Sequence, residues 1–390
     1  MRKKPNLRLP LIPSYNSRGI DGFTNTITQN QDQRRINGMY EITKNGSVNL
    51  TKRPGVSKSG FSFGSADQTS YLISLPPGIT TNSQPLVYST SGNDIRVSDG
   101  VTSFKVIFSS SAGYLPCFID KTIISGSQTL VFQAKKNDQT SPQRVFFNST
   151  SAAGVWTEIT DGDFTSIVHK GKIEHMDGYA FTLGADNNLY NSDLNSLASW
   201  TAGNFVAKQI QQDNARGLAK LKNQIIAFGD ETMEVFYNAG NPTGSPLSPI
   251  KQAFHKIGLG DGAARTQPTH YYDVLNGKMY FLGREAGGNA SYGVYMYDGA
   301  TINKVSTFAI DKILQTDVNN VPCHVTRFGF YGKSAIAISL SGRTYTAGSS
   351  FRWLMYFPEW NDWFEWTSAN FGPMNAGEYF LGCLSPDTVY

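Results

Sequence analysis

The stretch GDETMEVFYNAGNP, residues 229–242, sets three carboxylates, Asp230, Glu231 and Glu234, beside a tyrosine. It admits two readings: an acid cluster built for chemistry, or the turn and strand of one hairpin among many. Alternation favours the strand, with Met233, Val235 and Tyr237 on one face and Thr232, Glu234 and Phe236 on the other. Asp230 and Glu231 then occupy the turn before it, where solvated acidic residues are common.

The same unit recurs along the chain: a turn of small or polar residues, a short apolar run, a loop, and a second strand rich in aromatics. The apolar runs are carried by NSQPLVYS, SGSQTLVFQ, MDGYAFTLG, LKNQIIAFG, LNGKMYFLG and YGKSAIAIS, starting near residues 83, 127, 178, 223, 277 and 332. Their partners are DIRVSDG, RVFFNST, LYNSDL, EVFYNAG, VYMYDGA and LMYFPEW. Six units, each able to supply a four-stranded sheet, predict an all-β fold, a six-bladed β-propeller. One sheet cannot bury both its faces, whereas six packed radially can. A sandwich would lack the repeat, and a β-helix would need a much shorter coil.

Composition agrees. Charged residues are 16% of the 390, against about a quarter in ordinary domains, while aromatics reach 13% and glycines number 38. A formal net charge of +4 is weak evidence for a dedicated nucleic-acid binder. Cys117, Cys323 and Cys383 stand far apart and predict neither a disulfide framework nor a zinc cage. The basic N-terminus lacks the apolar run of a signal peptide, and no run of eighteen apolar residues could span a bilayer. Synthesis in a reducing cytoplasm is the expectation. Residues 1–37, with Pro5, Pro10 and Pro13, read as an extended N-terminal arm, and 38–390 as the propeller. One helix is expected in VSTFAIDKIL, capped by Ser306 or Thr307 and burying Phe308, Ile313 and Leu314.

Signals for chemistry are thin. His169, His175, His255, His270 and His324 show no metal-ligand spacing, and no G-x-S-x-G elbow or Walker loop occurs. Neither an enzyme, a metal nor a cofactor is expected. NSDLNSLASW (191–200) and NSTSAAGVW (148–156) faintly resemble the Asp-box hairpin turn of sialidase-type propellers, which is structural. WLMYFPEWNDWFEW gathers Trp353, Trp360, Trp363 and Trp366. Trp360 and Trp363 are candidates for an aromatic contact surface that stacks sugars or docks a partner. The simpler reading places Trp353, Met355 and Phe357 in a blade core, with Trp363 closing the next strand. Basic residues cluster at Arg2–Lys4 and at Arg34 and Arg35.

The motifs then resemble a known family. Ser14, Tyr15, Arg18, Gln33, Arg34, Ile36, Asn37, Tyr40, Glu41, Pro54 and Gly55 match the N-terminal signature of the packaged-DNA stabilisation proteins of short-tailed phages. Thr232, Glu234, Val235, Phe236, Tyr237, Asn238 and Gly240 match the family's T-x-E-V-F-Y-N-x-G stretch. The resemblance covers roughly residues 13–57 and 217–368 and leaves 58–216 without a motif. It implies a virion protein of the tail: a nozzle subunit in a six-fold ring beneath the portal and its adaptor ring. Such a ring extends the DNA channel, contacts the passing DNA non-specifically, and supports tail spikes, fibres or a needle. Tyr15, Arg18, Arg34 and Arg35 are the candidate contacts to a neighbouring subunit or adaptor. The last blade would be completed by the N-terminal strands or by a region beyond the chain. Rival readings are a receptor- or glycan-binding propeller using the Trp-rich segment, and a glycoside hydrolase.

Overall fold

The computed structural model describes residues 38–42, 48–52 and most of 69–368, with 69–109 described as strands only. Residues 1–37, 53–68 and 369–390, and several connections including 75–86, 260–270 and 341–350, lie outside that description. The proposed N-terminal arm and the contact candidates Tyr15, Arg18, Arg34 and Arg35 therefore fall outside the described residues.

A hairpin of β1 (Gly38–Ile42) and β2 (Val48–Lys52) comes first. Six antiparallel sheets follow, each a meander in sequence order. The first sheet holds β3 (Thr69–Ser74), β4 (Val87–Ser91), β5 (Asp94–Ser98) and β6 (Phe104–Ser109). The second holds β7 (Tyr114–Ile124), β8 (Ser127–Lys136), β9 (Arg144–Asn148) and β10 (Thr157–Glu158). After a one-turn helix, α1 (Gly162–Thr165), the third holds β11 (His169–Met176), β12 (Tyr179–Gly184), β13 (Asn188–Ser192) and β14 (Trp200–Ala207). The fourth holds β15 (Ala215–Leu221), β16 (Gln224–Gly229), β17 (Met233–Asn238) and β18 (Leu247–Pro249).

In the fifth sheet, β19 (Ile257–Gly258) and β20 (Tyr272–Leu275) both pair with β21 (Lys278–Glu285), which continues to β22 (Tyr292–Tyr297) and β23 (Ile302–Lys304). β19 meets the Arg284–Glu285 end of β21 and β20 the opposite end, so the two short strands share the position of one first strand. Helix α2 (Phe308–Val318) leads to the sixth sheet: β24 (Cys323–Phe330), β25 (Lys333–Leu340), β26 (Phe351–Phe357) and β27 (Asp362–Ser368).

The repeat seen in the sequence is the middle of each sheet. Five of its six starts fall at the turn between first and second strands, and the start near residue 83 lies outside the described residues. The middle strands stand out because both their faces are buried, so they read as continuous apolar runs. In β16 and β17, Ile226, Phe228, Met233 and Val235 pack toward the fifth sheet, while Ile225, Ala227 and Phe236 pack toward the third. The core is thus a succession of slabs between consecutive sheets. The alternation of residues 232–237 assigns neighbours, not inside and outside.

First strands approach closely where the slabs converge. Gly171, at φ +76°, has its Cα–H directed at Gly217, and a Cβ there would lie 2.5 Å from the Gly217 Cα. Gly171→Ala is expected to cost about 1–3 kcal/mol, from positive φ together with a backbone clash. Urea unfolding of the variant against Gly203→Ala, whose Cβ would meet nothing within 4 Å, checks this.

Helix α2 starts where expected, with Thr307 Oγ1 accepting the Ile310 amide at 3.5 Å, but its buried stripe is differently phased. Ile310 and Leu314, four residues apart, enter the core between the fifth and sixth sheets, and Ile313 packs at its edge. Phe308 is exposed, contrary to the sequence-based expectation, because two residues turn the helix by about 200° from Ile310.

Candidate functional site

The acids of residues 230–234 separate into two environments. Asp230 lies in the turn between β16 and β17, pairing with Arg216 and accepting from Asn214 Nδ2 at 2.7 Å. Glu234 is buried on β17, where its Oε1 accepts the Ile210 amide at 3.0 Å and stands 4.0 Å from Lys208 Nζ. Burial pushes the Glu234 carboxyl above its usual range, opposed by Lys208 and by the amides of residues 209–211.

Lys208 is the centre of this joint, its side chain wholly buried. It pairs with Asp213 and donates to Thr232 Oγ1 at 2.8 Å. The second Asp213 oxygen accepts from the amides of Glu231 (2.9 Å) and Thr232 (3.0 Å) and from the Thr232 hydroxyl (3.0 Å). The network ties the connection between third and fourth sheets to the β16–β17 turn. Its carboxylates are engaged by amides and one ammonium from within the chain. No group of three His, Cys, Asp or Glu among the described residues could hold a metal.

A second polar chain runs across the first strands. Lys172 on β11 pairs with Asp120 on β7 at 2.5 Å and lies 3.6 Å from Glu174. The Tyr272 hydroxyl, from the fifth sheet, donates to Glu174, and Asp273 accepts the Arg327 amide of the sixth at 2.8 Å. Burial raises the Glu174 carboxyl, partly countered by Lys172, and holds the Tyr272 phenol well above its ordinary value. A single tyrosine side chain therefore bridges the third and fifth sheets near their first strands.

His169 and His175 are buried and His255 half-buried, while His270 and the His324 side chain lie outside the description. His169 Nδ1 lies 2.8 Å from Thr182 Oγ1 and its ring 4.4 Å from that of Phe164; the Nε2 atoms of His169, His175 and His255 have no hydrogen-bond partner. Burial lowers His169 from 6.5 to about 3 and His175 to about 4. The unfolded chain takes up protons as pH falls below 6.5 while the folded chain does not, so stability is lost from that pH down toward the folded values. At about 1.4 kcal/mol per unit, each histidine contributes roughly 3–5 kcal/mol of this loss. Glu174, Glu234 and Asp273, raised by burial, act in the opposite sense. His169→Gln isolates one term: its unfolding midpoint is expected to fall less steeply between pH 6.5 and 4 than the parent's.

The Trp-rich segment is divided between core and edge. Trp363 is fully buried, its Nε1 donating to the Val305 carbonyl at 2.9 Å, so it belongs to no contact surface. Its position on β27, facing the fifth sheet, decides this. Trp360 is half-buried at the turn before β27, 5.2 Å from the Tyr40 ring with Lys333 Nζ 5.1 Å from its centroid. Tyr40 belongs to the N-terminal hairpin, which covers the outer face of the sixth sheet: its hydroxyl donates to Asp362 at 2.6 Å, and Trp366 Nε1 donates to the Gly38 carbonyl at 2.9 Å.

The first Asp-box-like stretch forms the β13–β14 connection, where Asp193 accepts from Ser199 and Thr201 and Trp200 is buried. Within the second, residues 149–155 lie outside the described residues. Sequence reasoning missed Lys208, Asp213, Asp120, Lys172 and Tyr272. Each sits in an undistinguished polar segment and gains its partner from another element.

A family model described as "Bacteriophage P22 Gp10, beta-propeller", for a phage stabilisation family, matches residues 25–346. No curated protein matches. Among solved structures, BBS1N in complex with ARL6DN is 12% identical, covering 86% of this chain and 87% of that one at TM-score 0.43. An ancestral GH74 enzyme is 11% identical over 86% of this chain and 54% of that one, at TM-score 0.42. The computationally designed Ika8 protein is 12% identical over 76% and 72%, at TM-score 0.38. Likenesses this distant carry no argument about function.

Proposed function

Since the chain belongs to the phage stabilisation family of P22 Gp10, a family of β-propellers, we propose that it is a tail nozzle subunit assembling as a closed ring. The ring sits below the portal and its adaptor, extends the DNA channel, and helps retain and then release the packaged genome. The observation that carries the reading is the family match over residues 25–346. Six consecutive four-stranded sheets, the second to the sixth packed face to face, support six blades, with the β1–β2 hairpin lying against the sixth. A hexameric ring with heterologous contacts would use the same two patches on every copy.

Two features favour a channel formed between subunits. The Tyr272–Glu174 bond brings first strands of the third and fifth sheets within side-chain contact, too close for a duplex to pass between them. Charge is also unevenly divided: residues 1–37 hold seven basic and two acidic residues, while 38–390 hold 27 and 28. A nearly neutral body suits a wall past which DNA slides, since phosphate contacts add affinity and salt dependence. The basic arm, with Arg18, Arg34 and Arg35, suits contact with an acidic neighbour or adaptor.

The glycan-binding alternative loses Trp363 to the core, and the hydrolase alternative loses Glu234 to the Lys208 joint. Sedimentation of the purified chain, alone and with adaptor rings, tests the ring. Ring-sized species or co-sedimentation is expected; a strict monomer under both conditions would overturn it.

A further inference from the structure

We propose that Lys208 and Asp213 form an intramolecular amide, a covalent cross-link made by the folded chain itself. The Lys208 side chain is wholly buried and its ammonium lies between the Asp213 and Glu234 carboxylates. Lys304, beside Asp311 and Glu285, is about one-third exposed, and the Asp120 partner of Lys172 is 28% exposed. Arginine supplies the cation at Arg144–Glu158 and Arg216–Asp230 and cannot be acylated in this way.

The surroundings supply each requirement of the reaction. For the reaction one Nζ proton must pass to the Asp213 oxygen that the ammonium faces, which leaves the nitrogen a lone pair for attack. The amine faces one oxygen of Asp213. The other oxygen is held by the Glu231 and Thr232 amides and the Thr232 hydroxyl, three donors that polarise Cγ and stabilise the oxyanion of a tetrahedral intermediate. Gly229 makes room for the carboxyl, since a Cβ there would lie within 2.1–2.3 Å of the Asp213 carboxyl atoms.

Glu234 provides the proton shuttle, 4.0 Å from Nζ, buried, and held above its usual range by desolvation. In the step, Nζ attacks Cγ and the C–N bond forms. Glu234 takes a proton from nitrogen and returns one to the departing oxygen. One C–O bond breaks and a water molecule leaves, with no oxidant or co-reactant. Proximity does most of the work, as in other intramolecular acyl transfers. The product replaces two buried charges by a neutral amide and locks the connection between the third and fourth sheets.

Intact-mass measurement of the purified full chain tests this, whether or not the chain assembles as a ring. The expected mass is one water below that of the sequence, with the loss mapped by fragmentation to a peptide joining Lys208 and Asp213. Lys208→Arg, which retains the ion pair, and Glu234→Gln are expected to restore the full mass while far-ultraviolet circular dichroism remains that of the parent. An unmodified parent mass, or a water loss mapped to other residues, overturns the proposal.

Discussion

Trp363→Ala is expected to lower unfolding stability by about 3–5 kcal/mol, the range for emptying a large aromatic site in a packed core. The indole is fully buried between the fifth and sixth sheets, 5.0 Å from the Tyr356 ring and in the slab that also holds Ile310 and Leu314 of α2. Its removal leaves a cavity among elements from three parts of the chain and strips the Val305 carbonyl of its donor. Trp360→Ala is the comparison. That ring is half-buried, and its contacts with Lys333 and Tyr40 are worth about 1–2 kcal/mol together. Urea unfolding followed by circular dichroism ranks the two. A larger loss in Trp360→Ala would place the segment's main energetic role at the edge and contradict the burial of Trp363.

Deletion of residues 1–52 is the second large effect, at roughly 3–6 kcal/mol for losing the burial of Met39 and Tyr40 and uncovering the face they pack on. A two-stranded hairpin is marginal on its own, and β1–β2 pairs with no other strand among the described residues. What holds it is the outer face of the sixth sheet. Tyr40 packs on Phe364 at 5.1 Å, bonds Asp362, and offers its carbonyl to Lys333. Loss of the hairpin uncovers Trp353, Met355, Phe357 and Trp366, and leaves the buried Asp362 carboxylate without the Tyr40 hydroxyl. The truncated chain is expected to unfold at lower urea and to bind a hydrophobic dye that the parent does not. Deletion of residues 1–37 alone, sparing the hairpin, is the comparison that isolates the hairpin's share. Equal loss in both deletions would mean the hairpin is not the stabilising element.

Legibility in the sequence followed burial geometry. Second and third strands were readable because each is buried on both faces, giving apolar runs bounded by turn residues, as in Gln224–Gly229 and Met233–Asn238. First and last strands were not. β11, HKGKIEHM, carries charges that find partners only across neighbouring sheets, and β10 and β18 are two and three residues long. The helix was found, but its buried side depended on packing against β22, which the ten residues of VSTFAIDKIL do not encode.

By itself the sequence determined the strand-and-turn repeat, the count of six units and the family, because periodicity and motif spacing are local properties of the chain. Tertiary structure decided which charges are structural and which aromatics are interior. Asp230 and Glu234 are four residues apart in one hairpin, yet one rests in a turn beside Arg216 while the other is sealed against Lys208. Trp360 and Trp363 are three positions apart, one at an edge and one in the core. The physical reason is the same in both cases: desolvation of a side chain is set by the element packed on top of it, and here that element comes from a distant part of the chain.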